Sequence, residues 1–485
     1  MIKNNSRKRG TMPETNNKTT ETIITKNDRL NCTSKEGESL AGNFAQSCSL
    51  REPLARVFEE NSVVSDSERT TPSPRGDSPK TPKKITFIEL FSGIGAFYQA
   101  ITNIVPDAKC VFAADINKDC AKVYKLNYGI ESLCDLTKID ANSIPDHDFC
   151  FFSPPCQAFS KGGKRLGFEE TRGTLIFEVF RILKSKIESG NPPKYILMEN
   201  VRNLISHDKG NTIRVILKGL HELGYRTPNL PLILSPHQFG IPQLRERAFL
   251  PGIYEPENVH ISLNFDMGRL LSKNDNNIFS IIDEKDFDKT LQIRKEDIRT
   301  IEAWNEFYHG IDMKVIGFPI WADYFHSDED ISHFPNWKKD FIYKNEELYK
   351  RNKNFIDIWA EKWKIFTDFT PTQRKFEWQC GTNIKDISES LIQFRPSGMR
   401  VKVPTVAPAL VAMVQTPVIG KLKRKLSLKE CLRLQSFPDD FNFGEQTVHE
   451  CYKQLGNSIC VTVLMEVTKK LLEQEVQRYG KKTGK

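Results

Sequence analysis

The sequence predicts an α/β protein with a parallel β-sheet, to which a smaller, irregular domain is added. From residue 85 to about residue 234, short apolar runs alternate with segments of helical periodicity, the pattern of repeated βαβ units. A turn with two glycines follows the first apolar run, which lets a ligand approach the backbone there. Between residues 255 and 394 the alternation stops, and Trp, Phe, Asp and Lys become frequent. We therefore expect an α/β domain and a separate, irregular insertion.

Composition and pattern divide the chain into four parts. Residues 1–84 are rich in Ser, Thr, Asn, Lys, Glu and Pro and contain no Trp or Tyr, so we expect them to be mostly disordered. We assign residues 85–270 to the main α/β domain and residues 271–445 to the smaller domain. Residues 446–485 are expected to form a C-terminal helix that returns to the main domain.

Charge and cysteine usage limit the classes of protein that fit. The net charge of +8 is compatible with a polyanionic partner but does not require one. The eleven cysteines include no CxxC pair and the nine histidines no HExxH, so we expect neither a disulfide scaffold nor a bound metal. No apolar run is long enough to span a bilayer, so no membrane partner is indicated. A protein of a reducing compartment is the simplest interpretation.

The first two predicted strands indicate a nucleoside-containing cofactor. Residues 85–90 form a strand, residues 91–96 (FSGIGA) a glycine turn, and a helical pattern follows. The spacing FxGxG differs from the pyrophosphate fingerprint GxGxxG. Asp115 ends the next strand about twenty residues later, where a carboxylate can bind ribose hydroxyls. This favours S-adenosylmethionine over NAD, and Asp135 could face the adenine. Alternatively, both aspartates only cap helices or turns.

A short loop after the third predicted strand carries a candidate nucleophile. The apolar residues 149–152 run into two prolines, and Cys156 follows them. Chemistry in open α/β sheets takes place beyond the carboxyl ends of the strands, so a thiol on this loop is well placed for covalent catalysis. Free cysteines are also among the most buried residues, and a purely structural Cys156 is the alternative.

A carboxylate and two arginines are expected near this thiol. Glu199 follows another predicted strand and therefore lies at the same edge of the sheet as Cys156. Arg245 and Arg247 alternate, so in an extended segment both point to one face. Their guanidinium groups suit a phosphate or a carbonyl oxygen and favour a nearby thiolate. A surface ladder of ion pairs with Glu246 is the alternative.

Taken together, these segments resemble the cytosine-C5 DNA methyltransferases. The resemblance rests on six motifs that occur in the order usual for that family. They are FSGIGA (91–96), SPPCQAFSKGGKRLGFEETRGTL (153–175), ENV (199–201), QLRER (243–247), RPSGMRVKVPTVAPAL (395–410) and QLGNS (454–458). The resemblance covers residues 84–472 apart from the variable insertion.

The resemblance implies a Rossmann-like, S-adenosylmethionine-dependent methyltransferase domain, a smaller target-recognition domain and a DNA cleft between them. By position, the implied cofactor-binding residues are Phe91, Gly93, Ile94, Gly95, Asp115, Ile116, Asp135, Leu136, Pro155, Asn457 and Ser458. Gln157 and Ser160 are implied to contact the DNA. Two departures stand out. Ile116 replaces an aromatic residue that often stacks on adenine, and Pro154 replaces a frequent Phe.

The family mechanism assigns a role to each candidate catalytic residue. It implies that the Cys156 thiolate adds to C6 of a cytosine that has been flipped out of the duplex. Glu199 would deliver or share a proton at N3, and Arg247 would hold the pyrimidine carbonyl oxygen. Arg245 would lie near the thiolate and a backbone phosphate.

The resemblance predicts the modification enzyme of a bacterial restriction-modification system. We expect a cytoplasmic monomer that acts on double-stranded DNA, with a cognate restriction endonuclease as a possible partner. The same chemistry on RNA is the first alternative, and the length of the insertion argues against it. A catalytically silent DNA-binding homologue is the second, and the intact set Cys156, Glu199, Arg245 and Arg247 argues against that.

Overall fold

The computed structural model describes residues 84–155, 175–285, 288–312, 316–326, 329–411 and 415–482, with side chains described as far as residue 474. Within these residues, no helix combines the length and the apolar character that crossing a bilayer requires.

The elements of the first half of the chain follow the predicted alternation. The strands are β1 (Thr86–Leu90), β2 (Lys109–Ala114), β3 (Phe149–Phe152), β4 (Tyr195–Val201), β5 (Tyr225–Arg226), β6 (Leu232–Leu234), β7 (Gln243–Leu244) and β8 (Arg247–Tyr254). The helices are α1 (Ala96–Ile104), α2 (Lys118–Tyr128), α3 (Leu175–Glu188) and α4 (Asn211–Glu222).

The second half contains more regular structure than its sequence suggests. Its helices are α5 (Lys295–Gly310), α6 (Asn336–Trp363), α7 (Ile365–Asp368), α8 (Leu428–Leu434), α9 (Val448–Asn457) and α10 (Val461–Lys482). Its strands are β9 (Ile320–Trp321), β10 (Lys375–Gln379), β11 (Leu391–Arg395), β12 (Gly398–Lys402), β13 (Ala407–Pro408), β14 (Val418–Ile419) and β15 (Arg424–Lys425).

The main sheet has the order β2-β1-β3-β4-β8-β5, and β6 also pairs with β8. The pairings from β2 to β4 are parallel, whereas β8 runs antiparallel to β4. The chain crosses over by helices between the parallel strands, as expected for βαβ units. The predicted α/β, Rossmann-like class is thus confirmed.

Helices cover both faces of this sheet. Along β3, Phe149 and Phe151 pack in a core with residues of α1, α2 and α10, while Cys150 and Phe152 pack in another with residues of α3 and α4. Because side chains alternate between the faces of a strand, a strand buried on both faces is apolar at every position. This explains the continuous apolar run at residues 149–152.

A second sheet, in the order β15-β14-β11-β12-β10-β9, builds the smaller core. Met399 and Val401 of β12 pack in this core against α5 and α6, with Trp304 and Trp359 fully buried. The long helices are stable because their aromatic side chains recur on one face, and this face packs against the sheet. The segment expected to be irregular is thus mainly irregular before α5 and otherwise a sheet with two long helices.

The two cores meet within the segment assigned to the smaller domain. The residues of the second core lie between residues 293 and 418, but Leu391 within this range and Leu426, Cys431 and Leu434 beyond it pack in the main core, together with residues of α9 and α10. The domain limits given above remain a prediction, although α8 lies inside residues 271–445 and packs with the main sheet. The apolar periodicity of residues 428–434 does not indicate which of the two sheets they cover.

The contact between α5 and α6 gives a test of the second core. A Cβ atom added at Gly310 would lie 2.0 Å from the ring of Phe355, whereas one added at Gly317 meets no atom within 4 Å. We expect Gly310→Ala to lower the free energy of unfolding by about 1–3 kcal/mol because the helices must separate. Urea denaturation of the two variants measures this, and Gly317→Ala is the matched control. An equal effect of both substitutions would contradict close packing at Gly310.

Candidate active site

One cavity of about 500 Å³ opens at the carboxyl ends of β1 to β4, the edge of the sheet at which α/β proteins bind ligands. Its wall contains most of the residues that the sequence singled out. They are Phe91, Gly93, Ile94, Asp115, Ile116, Asp135, Leu136, Pro155, Glu199, Arg245, Arg247, Asn457 and Ser458. Cys156, Gln157 and Ser160 lie outside the described residues.

The glycine turn is held by the carboxylate of Asp115. This carboxylate accepts hydrogen bonds from the backbone N–H of Gly93, at 2.8 Å, and of Asn117, at 2.7 Å. Gly95, which was also expected to line the cofactor site, instead precedes α1 with φ at 84°. A Cβ atom there would lie 2.2 Å from the ring of Tyr128. Glycine is therefore required at this position by backbone conformation and by packing.

Asp135 and Ile116 lie on the wall in different surroundings. Asp135 accepts hydrogen bonds from the backbone and hydroxyl of Thr137 and forms an ion pair with Lys138 at 3.2 Å. It therefore caps a turn, which was the alternative interpretation, while still lining the cavity. Ile116 is 73% exposed, so its apolar surface is open to a ligand.

Glu89 is a buried carboxyl at this cavity that sequence reasoning missed. Its carboxylate accepts hydrogen bonds from the backbone N–H of Phe97, at 3.2 Å, and from the hydroxyl of Tyr124, at 2.9 Å. Burial raises the pKa of Glu89 to about 8, although both hydrogen bonds act in the opposite direction. An acidic residue inside an otherwise apolar strand was the available signal, because such a residue needs a partner.

Glu199 is positioned by the antiparallel pairing of β4 with β8. This pairing continues to Val201, so Glu199 lies within the strand, directly opposite Phe249. Arg247 lies two residues from Phe249 and therefore on the same face as Glu199, within diagonal reach. The carboxylate lies 3.3 Å from Nε of Arg247 and accepts a hydrogen bond of 2.6 Å from the hydroxyl of Ser153.

The surroundings of Glu199 favour its protonated form. Burial raises the pKa of this carboxyl, and the nearby Arg247, Ser153 and Arg245 offset only part of that effect. Glu199 is consequently easier to protonate than an exposed carboxyl, which suits a residue that delivers a proton.

Arg245 has a different environment from the one that the sequence suggested. Its guanidinium group is buried and donates hydrogen bonds to the backbone carbonyls of Leu410, at 2.6 Å, Gly456, at 2.9 Å, and Ser458, at 2.7 Å. The anticipated ladder with Glu246 does not form, because Glu246 pairs with Arg202. Arg245 thus connects its own segment to Leu410 and to residues 456–458 at the cavity wall.

Residues 446–485 were expected to form one C-terminal helix, but the structure has two, α9 and α10. Gln454 and Asn457 lie in the last turns of α9, and the closing helix α10 begins at Val461. A helix break at this point leaves the carbonyls of Gly456 and Ser458 free to accept from Arg245. The sequence pattern identified this wall of the cavity but not the helix that carries it.

Two further polar contacts of the wall were missed by sequence reasoning. The hydroxyl of Ser153 binds Glu199, and the amide of Asn200 donates a hydrogen bond of 2.9 Å to the carbonyl of Pro154. Asn200 thereby fixes the backbone just before Cys156. Both residues adjoin motifs that were recognised, so their positions beside Cys156 and Glu199 were the available signal.

The buried Glu89 predicts a dependence of stability on pH. Because folding raises its pKa from about 4.5 to about 8, the folded state gains stability from protonation below this range and loses it as the pH rises. The free energy of unfolding of the wild type should fall by up to about 5 kcal/mol between about pH 5 and pH 9, and we expect Glu89→Gln to abolish this fall. Urea denaturation across this range measures the effect. Glu257→Gln, at an exposed position, is the control, and parallel curves for Glu89→Gln and wild type would contradict the prediction.

The contacts of Arg245 predict a structural cost of its removal. We expect Arg245→Ala to lower the free energy of unfolding by about 3 kcal/mol or more, because three buried carbonyl oxygens lose their donor. Arg202→Ala, which breaks an exposed ion pair with Glu246, should cost less than about 1 kcal/mol. Thermal and urea denaturation compare the two variants. If Arg245→Ala were as stable as Arg202→Ala, the three contacts would contribute nothing to the fold.

Comparison with known proteins shows what this chain is similar to. The profile of the family described as C-5 cytosine-specific DNA methylase matches residues 85–473. Type II methyltransferase M.BanI of Aneurinibacillus aneurinilyticus is 30% identical, over 81% of this chain and 97% of that protein. Type II methyltransferase M.AluI of Cellulosimicrobium cellulans is 28% identical, over 82% of this chain and 93% of that protein. The solved structure of a DNMT2 mutant of Spodoptera frugiperda is 20% identical, over 80% of this chain and 100% of that protein, with a TM-score of 0.46.

The family match includes both sheets and every residue that lines the cavity. It covers far more than half of the chain, and the six motifs lie within it. The chain belongs to the C-5 cytosine-specific DNA methylase family and is a DNA cytosine-C5 methyltransferase.

Proposed function

We propose that this enzyme methylates C5 of a cytosine flipped out of duplex DNA, with S-adenosylmethionine as methyl donor and a covalent adduct between Cys156 and C6. The observation that carries the proposal is the placement of Glu199, Arg247 and Ser153 in the same cavity as the glycine turn. A proton-carrying group and a site for a nucleoside cofactor thus share one space.

The wall of the cavity fits the proposed cofactor. Asp115 keeps free acceptor capacity beside its two backbone hydrogen bonds, which suits ribose hydroxyls. The exposed side chain of Ile116 offers an apolar surface to a base, and Phe91 and Leu136 lie on the same wall. When bound, the cofactor supplies an electrophilic methyl group on a sulfonium.

Glu199 and Arg247 are proposed to act on the pyrimidine. The carboxyl of Glu199, whose pKa is raised by burial, can donate a proton to N3 as electrons move out of the ring. The guanidinium of Arg247, 3.3 Å from that carboxylate, can hold the carbonyl oxygen of the base. Ser153 keeps the carboxyl in place through its hydroxyl.

Cys156 is proposed as the nucleophile. Its thiolate forms a bond to C6, and the ring electrons shift so that C5 becomes nucleophilic. After C5 is methylated, a base removes the proton of C5, the C6–S bond breaks, the proton at N3 returns to Glu199 and the thiolate is restored. A stacked base exposes neither C6 nor C5 to these groups, so the cytosine must leave the duplex. Gln157 and Ser160, close to Cys156 in the sequence, are proposed to contact the DNA.

The relatives suggest a biological setting. M.BanI and M.AluI are named as type II methyltransferases, so we propose that this enzyme is the modification half of a restriction-modification system. It would act in the cytoplasm as a monomer and protect the recognition sites of a cognate endonuclease.

Tritium transfer tests the reaction. We expect purified full-length protein to transfer label from S-adenosylmethionine to duplex DNA, and bisulfite sequencing to show protected cytosines in one short context. Label in RNA but not in DNA would contradict the proposal.

Substitution of Cys156 tests the nucleophile. We expect Cys156→Ala to abolish transfer while S-adenosylmethionine still binds, as measured by calorimetry, because the adduct cannot form without a thiol. Cys380→Ala, in the second core, is the matched control and should retain transfer. Persistent methylation by Cys156→Ala would refute the covalent mechanism.

A further inference from the structure

We propose that Glu89 senses the charge of the ligand in the cavity and thereby helps the enzyme to choose its cofactor over its product. The carboxyl of Glu89 is protonated in the free protein. When a ligand with a sulfonium cation binds, the O–H bond breaks and the proton passes to solvent. The uncharged thioether that remains after methyl transfer leaves the carboxyl protonated. The inference rests on the proposed function, because it takes S-adenosylmethionine as the cofactor.

Glu89 and Asp115 lie on the same face of the main sheet, at its carboxyl edge. In the parallel pairing of β1 with β2, Glu89 lies opposite Ala113, and Asp115 follows Ala113 by two residues. Side chains two residues apart point to the same side of a sheet, so the two carboxyls share a face. Both residues border the cavity. The wall that would hold the cofactor therefore carries two carboxyl groups.

In the described part of the chain, neither carboxyl forms an ion pair. Glu89 accepts hydrogen bonds from the backbone N–H of Phe97 and the hydroxyl of Tyr124. Asp115 accepts from two backbone N–H groups, and its charge favours the protonated form of Glu89. A buried carboxylate is costly without a positive charge nearby. A cationic ligand would supply the charge that the protein does not.

The other titratable groups around Glu89 are neutral at pH 7, because burial raises the pKa of each. They are Tyr98 on α1, Cys110 on β2, and Tyr124 and Tyr128 on α2. On β3, the residue opposite Glu89 is Phe151, which has no charge. Arg245 and Arg247 also line the cavity, but they bind backbone carbonyls and Glu199. The ligand is therefore the cation that can change the ionisation of Glu89.

Burial gives Glu89 a pKa at which such a charge has a measurable effect. This pKa is about 8 without ligand, so the carboxyl is mainly protonated near pH 7. A unit charge at about 8 Å favours the carboxylate by a factor of about 6 to 30, at effective dielectric constants of about 20 to 40. The cofactor and its thioether product differ at sulfur by this one charge. The cofactor should thus release a proton from Glu89, and the product should not.

Titration calorimetry in two buffers of different ionisation enthalpy counts the protons released on binding. Full-length protein binds S-adenosylmethionine or S-adenosylhomocysteine. At pH 7.5 we expect wild type to release about half a proton more than Glu89→Gln with S-adenosylmethionine, and no more than this variant with the product. The amino group of each ligand contributes equally to both proteins and cancels.

The affinities measured in the same experiment give a second readout. Because the cofactor favours the carboxylate, its binding should tighten as the pH rises and Glu89 loses its proton. We expect the preference of wild type for cofactor over product to rise about 5- to 20-fold between pH 6 and pH 9, relative to Glu89→Gln. Glu257→Gln, at an exposed position, is the matched control and should behave as wild type.

Tyr124→Phe tests the inference with the carboxyl retained. The hydroxyl of Tyr124 lowers the pKa of Glu89, so its removal should move the midpoint of this pH dependence to higher pH. Tyr225→Phe is the matched control. Tyr225 is also buried, but its hydroxyl donates to the carbonyl of Pro193 in another core, so the wild-type midpoint is expected. Thermal denaturation verifies that each variant folds.

The outcomes separate this inference from the proposed function. If both ligands bind, equal proton release by wild type and Glu89→Gln would overturn the inference alone, as would an equal excess with cofactor and product. An unchanged midpoint in folded Tyr124→Phe would overturn it even if Glu89→Gln does not fold. Failure of wild type to bind S-adenosylmethionine would overturn the inference and the proposed cofactor together.

Discussion

The geometry of this enzyme depends most on the hydrogen bonds that the buried guanidinium of Arg245 donates. Arg245 follows β7, and its three carbonyl acceptors lie 165, 211 and 213 residues further along the chain. The entire second core lies between Arg245 and Gly456 in the sequence. A single charged group therefore fixes the chain beyond the insertion against the segment that joins β7 to β8, the strand that begins at Arg247. Because desolvated carbonyls need a donor, these segments have little freedom to shift independently.

The chemistry of the cavity follows from this frame. The strand held by Arg245 continues into β8, whose antiparallel pairing with β4 brings Arg247 to Glu199. Glu199 is in turn oriented by Ser153, at the end of β3, so the carboxyl is held from two neighbouring strands. An arrangement set by sheet register is more rigid than one set by loops, as catalysis by fixed charges requires.

The sequence predicts what depends on local pattern. The apolar run at residues 149–152, the glycine turn and the carboxylate Glu199 follow from periodicity and motif spacing, and the structure places the described ones at one cavity. The role of Arg245 does not follow, because its acceptors are carbonyls, which every residue has, and lie far away in sequence. The helix α6 does not follow from local pattern either. Its apolar face is stable only when it packs against β10 to β12, and the sequence did not predict these strands. Glu89 was overlooked for a similar reason, since Tyr124 reaches it from another helix.

The position of α10 has a consequence for synthesis of the protein. This last helix packs against α1, the first helix of the main domain, and residues such as Val461 and Leu464 complete the core around Phe97. A ribosome delivers the chain from its N-terminus, so the apolar face of α1 stays uncovered until α10 has been made. The second core, contained within one continuous stretch, can form earlier. Its early folding would shorten the loop that separates α1 from α10, and the nascent chain would be most exposed to aggregation just before α10 is made.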